Sequence, residues 1–404
     1  MSIVVQKYGG SSVADVDKIK SIAKKIYDVK KSGNDVVVVV SAMGKTTDSL
    51  IELAKSISGN PQKREMDMLL STGERITMSL LCIALNELGI ESISLTGSQA
   101  GIITNDRHND ARVIEVRPFR VLDELANDKV VVVGGFQGVS YKRDITTLGR
   151  GGSDTSAVAL AAALNAERCE IYSDVDGVYS ADPSAISEAL HLPELSYEIM
   201  QEMSEAGAKV LNAQAVQFAK EAKIAIYARK SSGGEKETIV RLMPAGLSKG
   251  VKAVVHENDL IRLIFTGSKN QKNIYEFLKL AEKKQYKIKE LNHAISNNKG
   301  GIGKASIIIS GKNIIDRKTF EYELNKNFGD EVSIENELGA VSLIGDGINR
   351  DNKIIIESLN LIEESRIEVL GISTTSFRIT FLLLDKAVKD CTRVCHKKWI
   401  EDIS

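Results

Sequence analysis

The chain has 404 residues, of which 43% are hydrophobic, so it can bury a large core and is expected to form two or three domains. Its formal net charge of −1 provides no global field that would attract nucleic acid or an anionic membrane surface. The four cysteines form no C-x-x-C pair typical of structural zinc sites, and no apolar run approaches the ~18 residues of a membrane span. We therefore expect a cytoplasmic protein with reduced cysteines and neither a nucleic-acid nor a membrane partner.

The first part of the chain repeatedly places an apolar strand before a loop of small residues. Residues 3–6 end in Lys7-Tyr8-Gly9-Gly10, and a helical spacing of apolar residues follows. Residues 36–40 and 130–133 are uninterrupted valine runs that end in glycine or hydroxyl loops. Such runs predict strands buried on both faces of a mainly parallel α/β sheet sandwiched by helices. The loops after parallel strands meet at one edge of the sheet, where α/β proteins bind ligands.

A long apolar helix is predicted over residues 66–88, although it contains Gly73, Glu74 and Arg75. A glycine and two charges destabilise such a helix, so either the helix breaks there or another segment approaches closely. The side chains predicted to face inward are Met68, Leu69, Leu70, Ile76, Leu80, Leu81, Ile83, Ala84 and Leu88.

The stretch of residues 146–154, TTLGRGGSD, is the strongest candidate for a binding loop. Its three glycines permit a sharp turn with inward N–H groups, and Ser153 or Asp154 is predicted to cap the alanine-rich helix that follows. Arg150 suits a carboxylate or phosphate, whereas Asp154 opposes simple anion binding and indicates metal binding or catalysis. The alternative is a charged glycine-rich loop without a ligand.

Two later segments carry further polar candidates. Residues 171–183 read as a strand followed by an acidic and aromatic loop, and the alternative is a hairpin with solvated aspartates. Lys209 stands among small residues at a predicted helix start, where a long cation could reach a phosphate. The five histidines are separate from one another and are predicted to be structural or surface residues, and Cys391, Cys395 and His396 are predicted to pack rather than bind metal.

Composition shifts after Pro244, and the rest of the chain contains a weak internal repeat. Each half reads as β-α-β-β with another helix after it, as in ferredoxin-like modules. The predicted elements are strand 260–267, helix 274–281 and strands 287–291 and 305–310, then strand 341–344, helix 354–362 and strands 367–372 and 377–384.

Together the loops of the first part of the chain offer cations, backbone N–H groups that can surround an anion, hydroxyls and carboxylates. Phosphoryl transfer needs such a set, because its catalysis consists mostly of alignment and charge neutralisation. The chain lacks both the P-loop motif and the protein-kinase catalytic loop, so it belongs to neither class.

Seven motifs in order resemble the monofunctional aspartate kinases, which have a catalytic domain of the amino acid kinase fold and two C-terminal ACT domains. They are KYGGSSVA from residue 7, VSAMG from 40, STGE from 71, GFQG from 135, TLGRGGSD from 147, SDVDGVY from 173 and GAKVL from 207. The resemblance implies that MgATP phosphorylates the side-chain carboxylate of L-aspartate, the entry step to lysine, threonine, methionine and diaminopimelate. It also implies a catalytic domain over residues 1–245 and a regulatory region over 246–404, in which one ACT domain, about 262–335, is inserted in the other, 250–404.

The resemblance also assigns residue roles. Lys7 and the amides of Gly9 and Gly10 would hold the transferring phosphate, and Asp154 would orient Lys7 and the reacting groups. Arg150 would bind the α-carboxylate of aspartate, and Glu74 its ammonium. The substrate pocket would be completed by Ser41, Thr47, Gly151, Gly152 and Ser153. The nucleotide would contact Ser173, Asp174, Tyr179 and Lys209, with Mg²⁺ bound mostly by phosphate and water oxygens.

Some positions depart from the family pattern. Ser184 replaces a common arginine, Asn212 replaces a histidine, and residues 266–271 lack the acidic and Pro-Gly residues of the usual effector loop. Feedback binding of lysine or threonine at this half is therefore open, as is the choice between a homodimer and a homotetramer formed through the ACT domains. The alternatives are a kinase for glutamate, acetylglutamate or a nucleotide, and a non-catalytic amino-acid sensor.

Overall fold

The computed structural model describes residues 2–149, 151–243, 250–266, 270–284, 286–294, 304–314 and 316–402. The chain divides into two compact units. The first comprises Met1–Tyr179 and Leu190–Leu247, and the second comprises Ser180–Ala189 and Ser248–Ser404. Residues 180–189 thus group with the second unit, which no sequence pattern indicated, while the expected domain boundary at residue 245 stays a prediction.

The first unit alternates strands and helices. Its strands are β1 (Ile3–Tyr8), β2 (Asp35–Val40), β3 (Ser92–Leu95), β4 (Ile102–Thr104), β5 (Val113–Val116), β6 (Val130–Gly134), β7 (Gln137–Ser140), β8 (Ile145–Thr147), β9 (Arg168–Ser173), β10 (Val178–Tyr179), β11 (His191–Leu192), β12 (Glu194–Ser196), β13 (Ile226–Lys230) and β14 (Glu237–Arg241). Its helices are α1 (Val16–Lys31), α2 (Thr46–Ile57), α3 (Lys63–Leu70), α4 (Thr72–Glu87), α5 (Phe119–Ala126), α6 (Gly152–Ala163), α7 (Tyr197–Glu205) and α8 (Ala213–Ala222).

The main sheet has the strand order β12-β14-β13-β9-β1-β2-β6-β3 among the described residues. Its central pairs are parallel, and β13 with β14 is an antiparallel pair. Residues 36–40 are fully buried because α1 and α4 pack on one face and α6 lies on the other. The predicted α/β class with a mainly parallel sheet is confirmed.

The predicted helix over residues 66–88 is two helices that break at Ser71. Close approach also occurs, because a Cβ on Gly73 would lie 2.8 Å from the Cβ of Ala42. The inward orientation predicted for three apolar residues is wrong. Two of them, Ile76 and Ile83, lie seven residues apart on one side of α4, and the buried Leu81 lies on the opposite side. Met68, Ile76 and Ile83 are 39%, 52% and 65% exposed, whereas Leu81 is buried as predicted.

The helical stretch Lys63–Glu87 is long and apolar enough, by length and composition, to cross a membrane. Half of its most apolar window is buried inside the protein, and it carries the buried carboxylate of Glu74. These are the properties of a helix pair in a folded core.

In the second unit one sheet carries helices, and its described residues form two larger hydrophobic cores and a smaller cluster. The first core contains Phe265, the second contains Phe381, and the smaller cluster contains Leu338. The strands are β15 (Gly250–Thr266), β16 (Ile288–Ala294), β17 (Lys304–Ser310), β18 (Val332–Asp346), β19 (Gly371–Thr374) and β20 (Arg378–Leu384). The helices are α9 (Asn270–Lys284), α10 (Arg317–Phe328), α11 (Lys353–Glu364) and α12 (Val388–His396). The sheet order is β16-β17-β15-β18-β20-β19 among the described residues, so the two predicted β-α-β-β halves share one sheet. The strand predicted to begin at residue 367 begins only at Gly371.

The C-terminal cysteines and His396 pack in the second core, as predicted. Cys391 and Cys395 are free thiols with 0% exposure. The ring of His396 is buried, and its Nε2 and Nδ1 lie 2.8 Å from Ser180 Oγ and 2.7 Å from Glu401 Oε1. These contacts connect residues 180–189 to α12 within the second unit.

Candidate active site

The centre of the candidate site is an ion pair between β1 and α6. Lys7 Nζ lies 2.6 Å from Asp154 Oδ1, and the two side chains are only 11% and 10% exposed. Lys7 lies near the carboxyl end of β1, and Asp154 lies in the first turn of α6. A charge this buried requires a partner, so each side chain holds the other in place. The sequence placed both residues in the site, and the structure brings them into direct contact.

The glycine loop enters α6 differently from the prediction. The N-cap is Gly151, with φ of 74°, and not Ser153 or Asp154. This left-handed conformation favours glycine, and a Cβ on Gly151 would lie 2.4 Å from Asn212 Nδ2. Gly152 is equally confined, since its Cβ would lie 2.7 Å from the Cβ of Leu148. Arg150 lies outside the described residues.

Of the first glycine pair, Gly9 lies beside Lys7, whereas Gly10 lies against the loop after β2. A Cβ on Gly9 would lie 3.5 Å from Lys7 Nζ, and one on Gly10 would lie 2.9 Å from the carbonyl oxygen of Ala42. The Gly9 N–H donates to the carbonyl of Tyr172 over 3.1 Å. The role of this amide at the phosphate stays a prediction. No hydrogen bond from the Gly10 N–H is found among the described residues, and the predicted contact of this amide with phosphate also stays a prediction.

The predicted substrate residues converge beside this pair. Ser41 Oγ donates to Ser153 Oγ over 3.0 Å, which joins the loop after β2 to α6. The N–H of Ala42 donates to Glu74 Oε1 over 3.0 Å, while Glu74 Oε2 has no hydrogen-bond partner among the described residues. Burial raises the pKa of Glu74 to about 7 against the lowering effect of its backbone hydrogen bonds. Thr47 lies in the first turn of α2, half-buried.

The predicted nucleotide residues lie at the end of β9, in the loop after it, in β10 and in the loop after α7. Ser173 ends β9, and its Oγ accepts from the N–H of Val175 over 3.3 Å; the next residue, Asp174, is exposed. The Tyr179 hydroxyl donates to Asp176 Oδ1 over 2.8 Å. Lys209 is exposed in the loop between α7 and α8, not at the helix start, which is capped by Asn212. No contact found among the described residues joins these side chains to Lys7.

Comparison with known proteins identifies the family. Residues 2–229 match the sequence profile of the Amino acid kinase family. The aspartokinase of Mycolicibacterium smegmatis is 40% identical over 98% of this chain and 96% of its own length. The aspartokinase of Bacillus sp. (strain MGA3) is 40% identical over 98% of this chain and 97% of its own. The chain belongs to the aspartokinase family. It is therefore a phosphotransferase.

A solved aspartokinase shares the fold. The crystal structure of E. coli aspartokinase III in complex with aspartate and ADP superposes with a TM-score of 0.82, covering 98% of this chain and 99% of that chain at 22% identity. The likeness covers residues of both units, so the shared fold is not confined to the first unit.

A buried polar network behind Lys7 escaped the sequence analysis of this aspartokinase chain. Gln6 Nε2 donates to Glu170 Oε2 over 2.7 Å, and Arg229 NH1 donates to Glu170 Oε1 over 2.6 Å. Burial would raise the pKa of Glu170, but the hydrogen bond from Arg168 and the charge of Arg229 lower it overall. Because side chains alternate along β1, the network fixes the strand from the face opposite Lys7. Gln6, a polar residue at the end of the apolar run 3–6, was the feature of the sequence that could have indicated this buried network.

Asp67 is a second residue that the sequence analysis missed. It lies on α3 with 0% exposure, and its carboxylate contacts Thr147, His108 and the N–H of Asn109. Burial raises the pKa of Asp67, while the hydrogen bonds from Thr147 and His108 lower it. Its sequence signal is its spacing, since it precedes Glu74 by seven residues, about two helical turns.

Proposed function

We propose that this protein transfers the γ-phosphoryl group of ATP to the side-chain carboxylate of L-aspartate, giving 4-phospho-L-aspartate and ADP. The observation that carries this proposal is the nearly buried Lys7–Asp154 ion pair, together with the buried Oε2 of Glu74, which has no hydrogen-bond partner among the described residues. The aspartokinase relatives support it over most of their length. The product would be the entry compound for lysine, threonine and methionine synthesis.

Lys7 is the cation that neutralises charge on the transferring phosphoryl group. Its ammonium is held at β1 by Asp154, so it needs little reorganisation during the reaction. The Gly10 amide adds a donor from the adjacent turn. No general base is required, because the nucleophile is a carboxylate with an ordinary pKa of ~3.9 and is already ionised at neutral pH.

Glu74 and Arg150 recognise the two ends of the amino acid. The buried Glu74 oxygen that lacks a partner accepts the ammonium of aspartate, which supplies the opposite charge that a buried carboxylate requires. Arg150 binds the α-carboxylate in the fork geometry that guanidinium offers. The linked hydroxyls of Ser41 and Ser153, with Thr47, line the space between these ends.

Ser173, Asp174, Tyr179 and Lys209 would hold the nucleotide, which would carry Mg²⁺. The described residues contain no group of three or more His, Cys, Asp or Glu that could hold a metal ion. We propose that Mg²⁺ would be bound chiefly by phosphate and water oxygens. When bound, Mg²⁺ would neutralise part of the phosphate charge, and the side chains of the protein would align ATP with aspartate.

The second unit binds an amino-acid effector and mediates self-association. Two ACT domains, one at about 262–335 inserted in the other over 250–404, are supported by the path of β15. Its first part pairs with residues 338–346 of β18, and its second part pairs with β17 and with residues 332–335 of β18. Residues 267–269, within the altered effector loop, lie outside the described residues. The candidate effectors are lysine and threonine, and the candidate assemblies are a homodimer and a homotetramer.

The deciding experiment measures ADP release from MgATP with L-aspartate, L-glutamate and N-acetylglutamate side by side. Turnover that depends on aspartate supports the proposal, whereas preference for either glutamate compound overturns it. Repeating the assay with lysine and threonine tests the regulatory part separately. Turnover without inhibition by either amino acid retains the kinase and rejects these effectors.

A further inference from the structure

The buried contacts of Asp67 lead directly to the glycine loop. We propose that Asp67 is a positioning residue for aspartate binding, which acts through Thr147 to fix the loop that begins at Gly149. This inference rests on the proposed function, because it concerns the aspartate subsite of the same kinase. It assigns to α3 a part in substrate affinity that neither the motifs nor the family comparison indicated.

The Asp67 carboxylate accepts hydrogen bonds from two segments that precede α6. Thr147 Oγ1 donates to Asp67 Oδ1 over 2.6 Å, and the N–H of Asn109 donates to the same oxygen over 3.0 Å. The other oxygen, Oδ2, lies 2.6 Å from His108 Nδ1. Asp67 and Thr147 both have 0% exposure, so the bond between them is shielded from water.

The bonds of Asp67 hold two segments next to the loop that begins at Gly149, namely the end of β8 at Thr147 and the segment at Asn109. Thr147 is the last residue of β8, and its carbonyl accepts from the N–H of Ala111 over 2.8 Å. A Cβ on Gly149 would lie 2.8 Å from Asp110 Oδ1, so the loop rests against the segment that Asp67 holds through Asn109. Displacement of Thr147 would therefore be passed to Gly149 and to the start of α6.

The position of Asp67 also relates the glycine loop to Glu74. Asp67 and Glu74 lie on the consecutive helices α3 and α4, on either side of the break at Ser71. The carbonyl of Ser71 accepts from Gln137 Nε2 over 3.1 Å, which anchors the break to β7. Asp67 thus sets the spacing between the proposed ammonium site and the glycine loop. Because it has no exposed surface, it does so without touching substrate.

The test compares steady-state kinetics and thermal stability of the full-length wild type with those of four variants. Thr147→Val removes the buried bond, and Thr147→Ser retains the hydroxyl. Asp67→Asn removes the charge and leaves only one of the two oxygens that accept from Thr147, Asn109 and His108. Glu65→Gln neutralises a largely exposed carboxylate on the same helix. For Asp67→Asn and Thr147→Val we expect the KM for aspartate to rise about tenfold or more, with kcat and the KM for ATP changed by less than about twofold. Thr147→Ser and Glu65→Gln should stay within about twofold of wild type in all three constants.

The outcomes separate three possibilities. If Thr147→Val folds and keeps the wild-type KM for aspartate while its Tm falls, the bond is only structural and the proposal is overturned. If Asp67→Asn does not fold, the contrast between valine and serine at position 147 decides, because equal KM values for aspartate in the two variants also overturn it. Wild-type protein that shows no turnover with aspartate refutes the proposed function instead.

Discussion

Replacement of Glu74 by glutamine is expected to impair aspartate binding selectively. Glu74 is 2% exposed, and burial raises its pKa from 4.5 to about 7. A displacement of this size corresponds to roughly 3 kcal/mol of unfavourable burial of the charged form. In the proposed complex the ammonium of aspartate offsets this cost. The neutral amide of a glutamine at position 74 has no negative charge with which to bind that ammonium.

The direction of the pH dependence follows from this pKa. The folded protein binds the Glu74 proton more tightly than the unfolded chain does. The stabilising contribution of Glu74 is therefore complete below about pH 4.5 and is lost as the pH rises through about 7 in the absence of aspartate. Aspartate binding needs the ionised form, whose fraction rises about tenfold between pH 6 and pH 8. The KM for aspartate is therefore expected to be about tenfold higher at pH 6 than at pH 8.

The assay is ADP release at pH 6, 7 and 8 with saturating MgATP and varied aspartate. Loss of a charged hydrogen bond costs about 1.5–3 kcal/mol, so Glu74→Gln should raise the KM for aspartate about 10- to 100-fold at pH 8. Its KM should also be nearly independent of pH across this range. Glu87→Gln is the matched control, because Glu87 is an exposed carboxylate on the same helix. A wild-type KM that is equal at pH 6 and pH 8, or a Glu74→Gln KM close to that of wild type, would refute the reasoning.

Three further predictions concern the phosphate side of the site. Lys7→Ala and Asp154→Ala should each abolish aspartate-dependent ADP release while circular dichroism shows a folded protein, and near wild-type turnover in either variant contradicts the assigned roles. Gly151→Ala should lower the Tm more than Gly33→Ala, since both have positive φ, which costs about 1–2 kcal/mol, but only Gly151 also meets Asn212; equal losses of Tm would contradict this. Chelation of divalent cations by EDTA should abolish turnover, and addition of Mg²⁺ should restore it; activity that survives EDTA would argue against a metal-bound nucleotide.

Local patterns in the sequence were enough to predict the framework of the protein. The valine runs at 36–40 and 130–133 predict buried parallel strands because β-branched residues on both faces leave no surface for water. Lys7 before a glycine pair and Asp154 after a glycine loop were placed in one site because loops after parallel strands meet at one edge. Each of these inferences depends on residues that are close together in the chain.

Tertiary structure decided the features that depend on distant partners. Asp67 and Thr147 are 80 positions apart, and only the packing of α3 on β8 brings the carboxylate to the hydroxyl. The engagement of the Gly9 amide by Tyr172 and the grouping of residues 180–189 with the second unit have the same origin. A residue type limits which bonds a side chain can make. The elements that pack around it determine which of those bonds form, and which groups, such as Glu74 Oε2, stay open for a ligand.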